Sequence, residues 1–113
     1  MKIRYTPEFR RDLRKIKAYL VQNGFKSAST IGSAVMQACS DLKCFPDKGE
    51  SAAERYGVDT DMLFFIYDKD VIFYRVQGEY IEIVRMFDSR TNIMLHMFGI
   101  DTSDSDSKDY WDE

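Results

Sequence analysis

Two runs of β-branched and aromatic residues, Val71 to Val76 and Tyr80 to Phe87, are separated by nothing but Gln77, Gly78 and Glu79. No other feature of the chain restricts its fold as much. Such residues suit a pleated, half-buried surface, and a three-residue polar gap whose glycine can take a left-handed conformation reads as the turn of an antiparallel hairpin. A third run, Met62 to Tyr67, precedes the hairpin across Asp68, Lys69 and Asp70, a second short polar turn. Three consecutive strands make a meander.

Antiparallel pairing about this turn sets odd residues of the first arm beside even residues of the second. One face then carries Val71, Phe73 and Arg75 with Tyr80, Glu82, Val84 and Met86. The other carries Ile72, Tyr74 and Val76 with Ile81, Ile83, Arg85 and Phe87. Both faces are mostly apolar and each is interrupted by one arginine, so both are expected to be at least partly covered. With the turn centred on Gly78 and Glu79, Arg75 faces Glu82 and reads as half of a cross-strand ion pair.

Upstream, Met1 to Tyr5 alternates as an edge strand does. Thr6, Pro7 and Glu8 then form a helix start: a hydroxyl to accept from free amides, a preset φ, and an acid at the positive end of the dipole. Phe9, Leu13, Ile16 and Leu20 make one apolar stripe, with Arg10, Arg11, Arg14, Lys15 and Lys17 on the remaining surface, and Asn23-Gly24 ends the helix. That basic surface reads either as a solvated face or as a site for nucleic acid or an acidic partner. A second helix is expected from near Ser27 to about Phe45, with Ile31, Val35, Ala38, Leu42 and Phe45 as its stripe and Pro46 as its stop. Residues 47 to 60 read as turn and loop, or a brief strand. Thr91 to Phe98 reads as a short amphipathic segment which, if helical, leaves His96 off the apolar side occupied by Ile93, Met94, Met97 and Phe98. The fold class is therefore α+β: an antiparallel helical hairpin packed on a small, mainly antiparallel sheet of four or so strands.

At 113 residues and 44% hydrophobic content the chain has the size of one domain with a modest core. It contains no apolar run of about 18 residues and no apolar stretch of signal-peptide kind near Met1, so no membrane contact is expected and the default compartment is the cytoplasm. Cys39 and Cys44 are turned about 140° apart if one helix carries both, too far for a bridge. With those two and the single His96, a four-ligand zinc site cannot be assembled, and neither metal nor cofactor is expected. Residues 101 to 113 carry six acids against Lys108, a net charge of −5; taking that from the whole-chain −3 leaves +2 for residues 1 to 100. Those first 100 residues read as the folded domain. The Asp- and Ser-rich tail after them reads as disordered, with Tyr110-Trp111 offering a way for it to fold back on the basic first helix.

Phe73-Tyr74-Arg75-Val76 followed by Ile81-Glu82-Ile83-Val84-Arg85 resembles the sheet of RelE/ParE superfamily toxins, from type II toxin–antitoxin modules. The early strand, the Tyr5-Thr6-Pro7-Glu8 helix start, the Leu42-Lys43-Cys44-Phe45-Pro46 helix end and Gly49 follow in the family's order. The ParE-like branch is the closer fit. The resemblance implies a growth-inhibiting toxin of a plasmid-stabilisation type of system, with a cognate antitoxin as partner and a cellular target such as DNA gyrase. An alternative is a ribosome-dependent mRNA endonuclease, with ribosome and mRNA as target. A further alternative is an inactive relative that retains antitoxin binding, by backbone pairing at a sheet edge and apolar anchors in grooves. In the nuclease branch, Arg90 and His96 stand at the catalytic positions, the guanidinium to stabilise phosphate charge and the imidazole as base. Lys48, Arg55, Arg75 and Arg85 are the candidate cations for nucleic acid or target. Leu63 occupies a strand position where many members carry arginine, which leaves the enzymatic inventory incomplete.

Overall fold

The computed structural model describes residues 1–101, in the order β1 (Lys2–Tyr5), α1 (Pro7–Gln22), α2 (Ile31–Ser40), β2 (Glu50–Ser51), α3 (Ala52–Tyr56), β3 (Leu63–Tyr67), β4 (Asp70–Gln77), β5 (Tyr80–Asp88) and α4 (Ile93–Phe98). The tail beyond Asp101, and with it the expected disorder, lies outside the described residues. The sheet has five strands ordered β1-β5-β4-β3-β2; β1 lies parallel to β5 and every other pairing is antiparallel. The α+β class, the meander and the edge role of β1 are as the sequence predicts.

Thr6 joins strand to helix. Its hydroxyl oxygen accepts the Phe9 amide at 3.0 Å and donates to the Val84 carbonyl at 2.6 Å, while its own amide continues the β1–β5 ladder onto the Ile83 carbonyl. One residue thus caps α1 and sets its direction across the sheet. Gly24, at φ +71°, ends α1 as expected.

The second helix is shorter than its sequence suggests. Two 3₁₀ turns, Lys26–Ser29 and Asp41–Lys43, flank α2. Its buried stripe is Ile31, Val35, Cys39 and Leu42; Ala38 is only partly covered and Phe45 is exposed. Four-residue steps from Ile31 to Val35 to Cys39 keep Cys39 rather than Ala38 on the buried side of α2, and Phe45 lies past the end of the 3₁₀ turn at Lys43. The region after Pro46 holds the two-residue β2 and the one-turn α3, started by the Ser51 hydroxyl accepting the Glu54 amide and stopped by Gly57 at φ +67°.

Packing on the two sheet faces is decided by a β-bulge. Arg75↔Glu82 and Tyr74↔Ile83 follow the turn centred on Gly78 and Glu79, but the next pairs are Phe73↔Arg85 and Ile72↔Met86, leaving Val84 as the extra residue on β5. The parity of β5 inverts beyond that point. Met86 turns to the helix side, with Ile72, Tyr74, Ile81 and Ile83 against Phe9, Leu20, Val35 and Leu42. Phe87 turns to the opposite side, with Phe64, Val71, Phe73, Ala52 and Ile93. The register read from the sequence, continued without a bulge, puts these two residues on the wrong faces. Both faces are covered, as their composition predicts, the second by α3 and α4.

The expected Arg75–Glu82 ion pair does not form, although the two residues are cross-strand neighbours. Arg4 from β1 takes Glu82 at 3.1 Å, and the Arg75 guanidinium lies 3.5 Å from Asp61.

Candidate functional site

Past Ile83, β5 has lost its β1 neighbour, and α1 fills the vacated edge with a side chain. Asp12 accepts the Met86 amide at 3.0 Å and takes both arms of the Arg85 guanidinium, at 2.7 and 3.1 Å. Asp12 is 8% exposed, and Arg85 also lies over the Phe87 ring, 4.5 Å from its centroid. A buried carboxylate held by a bidentate arginine and a backbone amide is fully engaged. Arg85 is therefore a fixed element here, with its guanidinium shared between Asp12 and Phe87.

Beyond this pair, α1 and the β3–β4 and β5 ends of the sheet diverge around a cleft of about 840 Å³. Ile16, Leu20, Ile31 and Met86 line its apolar part. Its rim alternates cations and rings. The Lys69 ammonium lies 5.7 Å from the Phe25 centroid, Phe25 stacks on Tyr19 at 6.4 Å, and the Arg90 guanidinium lies 5.4 Å from the Tyr19 centroid. Tyr19 and Phe25 remain 42% and 45% exposed. Contacts of this kind at exposed sites are individually weak, so the rim is weakly held.

Arg90 forks onto Asp88 at 2.9 and 3.2 Å. Its hydrogen bond holds the Asp88 carboxyl below the usual carboxylate range. Across the strand pair from Asp88 stands Asp70, buried at 6% exposure and pushed up to about 6, first by burial and then by the charges of Asp88 and Asp68.

The cleft brings together Arg85, Arg90 and His96 of the six residues singled out from sequence. His96 is exposed on α4, and among the described residues no hydrogen bond orients its imidazole. The other three are elsewhere. Lys48 lies over the Phe65 ring, 5.9 Å from its centroid; Arg55 lies over Tyr56 and lines a smaller groove on the opposite side of the sheet, with Phe64, Ile66 and Met94. Arg75 keeps a buried Nε with no hydrogen-bond partner.

Sequence reasoning missed Asp12, Asp70, Tyr19 and Phe25. Asp12 had a signal: it lies three residues after Phe9 and four before Ile16, an acid on the stripe that α1 buries. The other three carried none, because turn acids and isolated aromatics are common.

A family model described as the ParE toxin of the type II toxin–antitoxin system parDE matches residues 3–93. This chain belongs to the ParE toxin family. Among solved structures, a chain of the chromosomal ParDE toxin–antitoxin system from P. aeruginosa is similar in fold, with a TM-score of 0.62 and 18% identity over 78% of this chain and 95% of that one. A conserved hypothetical protein from Helicobacter pylori is 15% identical over 80% of this chain and 96% of its own, with a TM-score of 0.49. No curated protein sequence matches. As a ParE-family chain, the molecule is a type II toxin–antitoxin toxin with an antitoxin as partner. The family match ends at Ile93, so most of α4, including His96, lies beyond the part this chain shares with the ParE family model.

Proposed function

We propose that this chain inhibits growth by binding a cellular protein, with DNA gyrase as the candidate target, and that a cognate antitoxin neutralises it in the cytoplasm as part of a plasmid-stabilisation type of module. Residues 1–100 form the toxin domain in this reading, and the cleft beside α1 is its docking surface. The observation that carries the reading is the character of that cleft: an apolar floor under a rim of half-exposed rings and cations, which suits a polypeptide partner. Lys48, Arg55 and Arg75 lie away from it, so in this reading any contact they make with the target falls outside the cleft.

The rival reading, a ribosome-dependent mRNA endonuclease, is favoured by one observation: Arg90 and His96 line the same cleft. Against it, no group among the described residues sets the tautomer of His96, and Arg90 is already forked onto Asp88. Induced expression in a sensitive bacterial host separates the readings. Growth arrest with gyrase-linked DNA breaks that persists in His96→Ala supports the proposal. Cleavage of mRNA in a purified translation system, abolished by Arg90→Ala or His96→Ala, overturns it in favour of the nuclease. No effect on growth in any sensitive host overturns both and leaves an antitoxin-binding relative.

A further inference from the structure

Asp70 poses a chemical question that the fold does not answer. It is the first residue of β4, 6% exposed, and it lines the cleft. Buried carboxylates are ordinarily paired or hydrogen-bonded, because leaving one bare costs more than most single contacts return. Yet among the described residues no hydrogen bond or ion pair reaches its side chain, whereas Asp12, Asp88, Glu82 and Asp61 each hold an arginine. Neither of the two cations nearest in sequence or strand pairs with it: the Lys69 ammonium sits over Phe25 and acts on Asp70 only through its charge, and Arg90 is forked onto Asp88. Asp70 is therefore a solitary acceptor inside a cleft whose rings, Tyr19 and Phe25, already carry cations on their faces.

We propose that this cleft receives a lysine or arginine side chain carried on an amphipathic segment of a partner protein, with Asp70 as the carboxylate that holds it. The proposal deepens, and rests on, the reading of the cleft as a docking surface. The incoming cation passes beside the stacked rings of Tyr19 and Phe25, replacing the weak contacts that Lys69 and Arg90 make there, while apolar residues one helical turn away on the partner cover Ile16 and Leu20. A carboxylate with little exposure and no protein partner discriminates by charge more sharply than a fully exposed one, since a neutral or acidic side chain seated over it displaces its water and leaves it unpaired.

The charged and titratable groups facing Asp70 set the pH behaviour. Asp68 and Lys69 come from the β3–β4 turn, Tyr67 from the β3 partner position, and Asp88 from β5, with Arg90 just beyond it. From α1 come Asp12, Lys15 and Tyr19, and from α4 His96. Asp12 pairs with Arg85 and Asp88 with Arg90, whereas Asp70, pushed up to about 6 by burial, has no such partner.

The test uses two helical peptides of about 15 residues, rich in Leu and Ala and differing only in a central Arg or Gln. Binding to the full chain is measured by fluorescence anisotropy and mapped by NMR shifts, for the natural protein, Asp70→Asn and Lys69→Gln. The Arg peptide is expected to bind the natural protein at least tenfold more tightly than the Gln peptide at pH 8. That ratio is expected to shrink at pH 5, to disappear in Asp70→Asn, and to persist in Lys69→Gln, with shifts at Tyr19, Phe25 and Met86. Equal binding of both peptides in the cleft overturns the role of Asp70 and leaves the docking surface standing. Shifts elsewhere, or no binding of either peptide, overturn the docking surface and the inference together. Loss of the ratio in Lys69→Gln assigns the charge effect to Lys69 and overturns the inference. Asp70→Asn removes an uncompensated buried charge and is expected to fold with a Tm at or above that of the natural protein at pH 8, so its loss of discrimination is not a folding artefact.

Discussion

Asp12→Ala is the substitution that most directly probes how α1 is fastened to the sheet. Two groups lose their partner together: the Met86 amide, in a residue that is 1% exposed, and the Arg85 guanidinium, whose side chain is 28% exposed. An orphaned buried amide costs about 1–3 kcal/mol. Breaking a fully buried ion pair costs about 3–5 kcal/mol, mostly for the charge left behind, and Arg85 recovers part of that through its exposed portion. Because the two losses share one carboxylate they do not add in full, and the net is about 2–4 kcal/mol. For a domain of this size that is a fall in Tm of roughly 10–15 °C. Urea unfolding followed by circular dichroism, with the slope checked for constancy, reads it directly. Asp12→Asn keeps an oxygen for the Met86 amide and loses the charge, so it should fall between the two. If Asp12→Ala lies within about 0.5 kcal/mol of the natural protein, the carboxylate does not anchor α1 and the account of the vacated β5 edge is wrong.

Other outcomes follow from the same geometry. Tyr74→Phe removes a hydroxyl that donates to the Pro46 carbonyl at 2.8 Å and accepts the Gly49 amide at 2.9 Å, and should cost about 1–3 kcal/mol in denaturant unfolding. Gly49→Ala should destabilise further, since its Cβ would stand 2.5 Å from the Tyr74 hydroxyl and 2.9 Å from the Phe64 carbonyl, one of them backbone. Of the two thiols, burial pushes Cys39 up to about 12 while Cys44 is exposed, so a folded sample should release one thiol equivalent rapidly to a disulfide reagent and a second only on unfolding. Asp70 binds its proton more tightly folded than unfolded, being raised from 3.8 to about 6. Its contribution is thus present below pH 4 and lost as pH rises toward 6, and Asp70→Asn should be more stable than the natural protein above pH 6, by on the order of 1–2 kcal/mol, with the gap closing at pH 4.

Local features were legible in the chain because their causes are local. The Gln77-Gly78-Glu79 gap specified the hairpin, Thr6-Pro7 and Asn23-Gly24 bounded α1, and the two apolar faces of the meander required cover on both sides. The ordered motifs around Phe73 to Arg85 pointed to the toxin family that the comparison with known families then showed. Arg90 and His96 were reached by position alone, and they do share a cleft.

What the chain did not disclose depends on residues distant in sequence. The bulge at Val84 arises where β5 leaves β1 behind and must meet both α1 and β4, and it alone decides that Met86 and Phe87 exchange faces. Arg75 and Glu82 find other partners because Asp61 and Arg4 reach them from strands and loops whose approach no local pattern encodes. The Asp12–Arg85 pair spans 73 positions, and the cleft is assembled from the flank of α1, the turn after β3 and the end of β5. Periodicity and turn chemistry act over a few residues, whereas a charge finds its partner only after packing has brought separate segments to within a few ångströms. For that reason the elements of this protein are written in its sequence, and the solitary carboxylate of Asp70 is visible only in its tertiary structure.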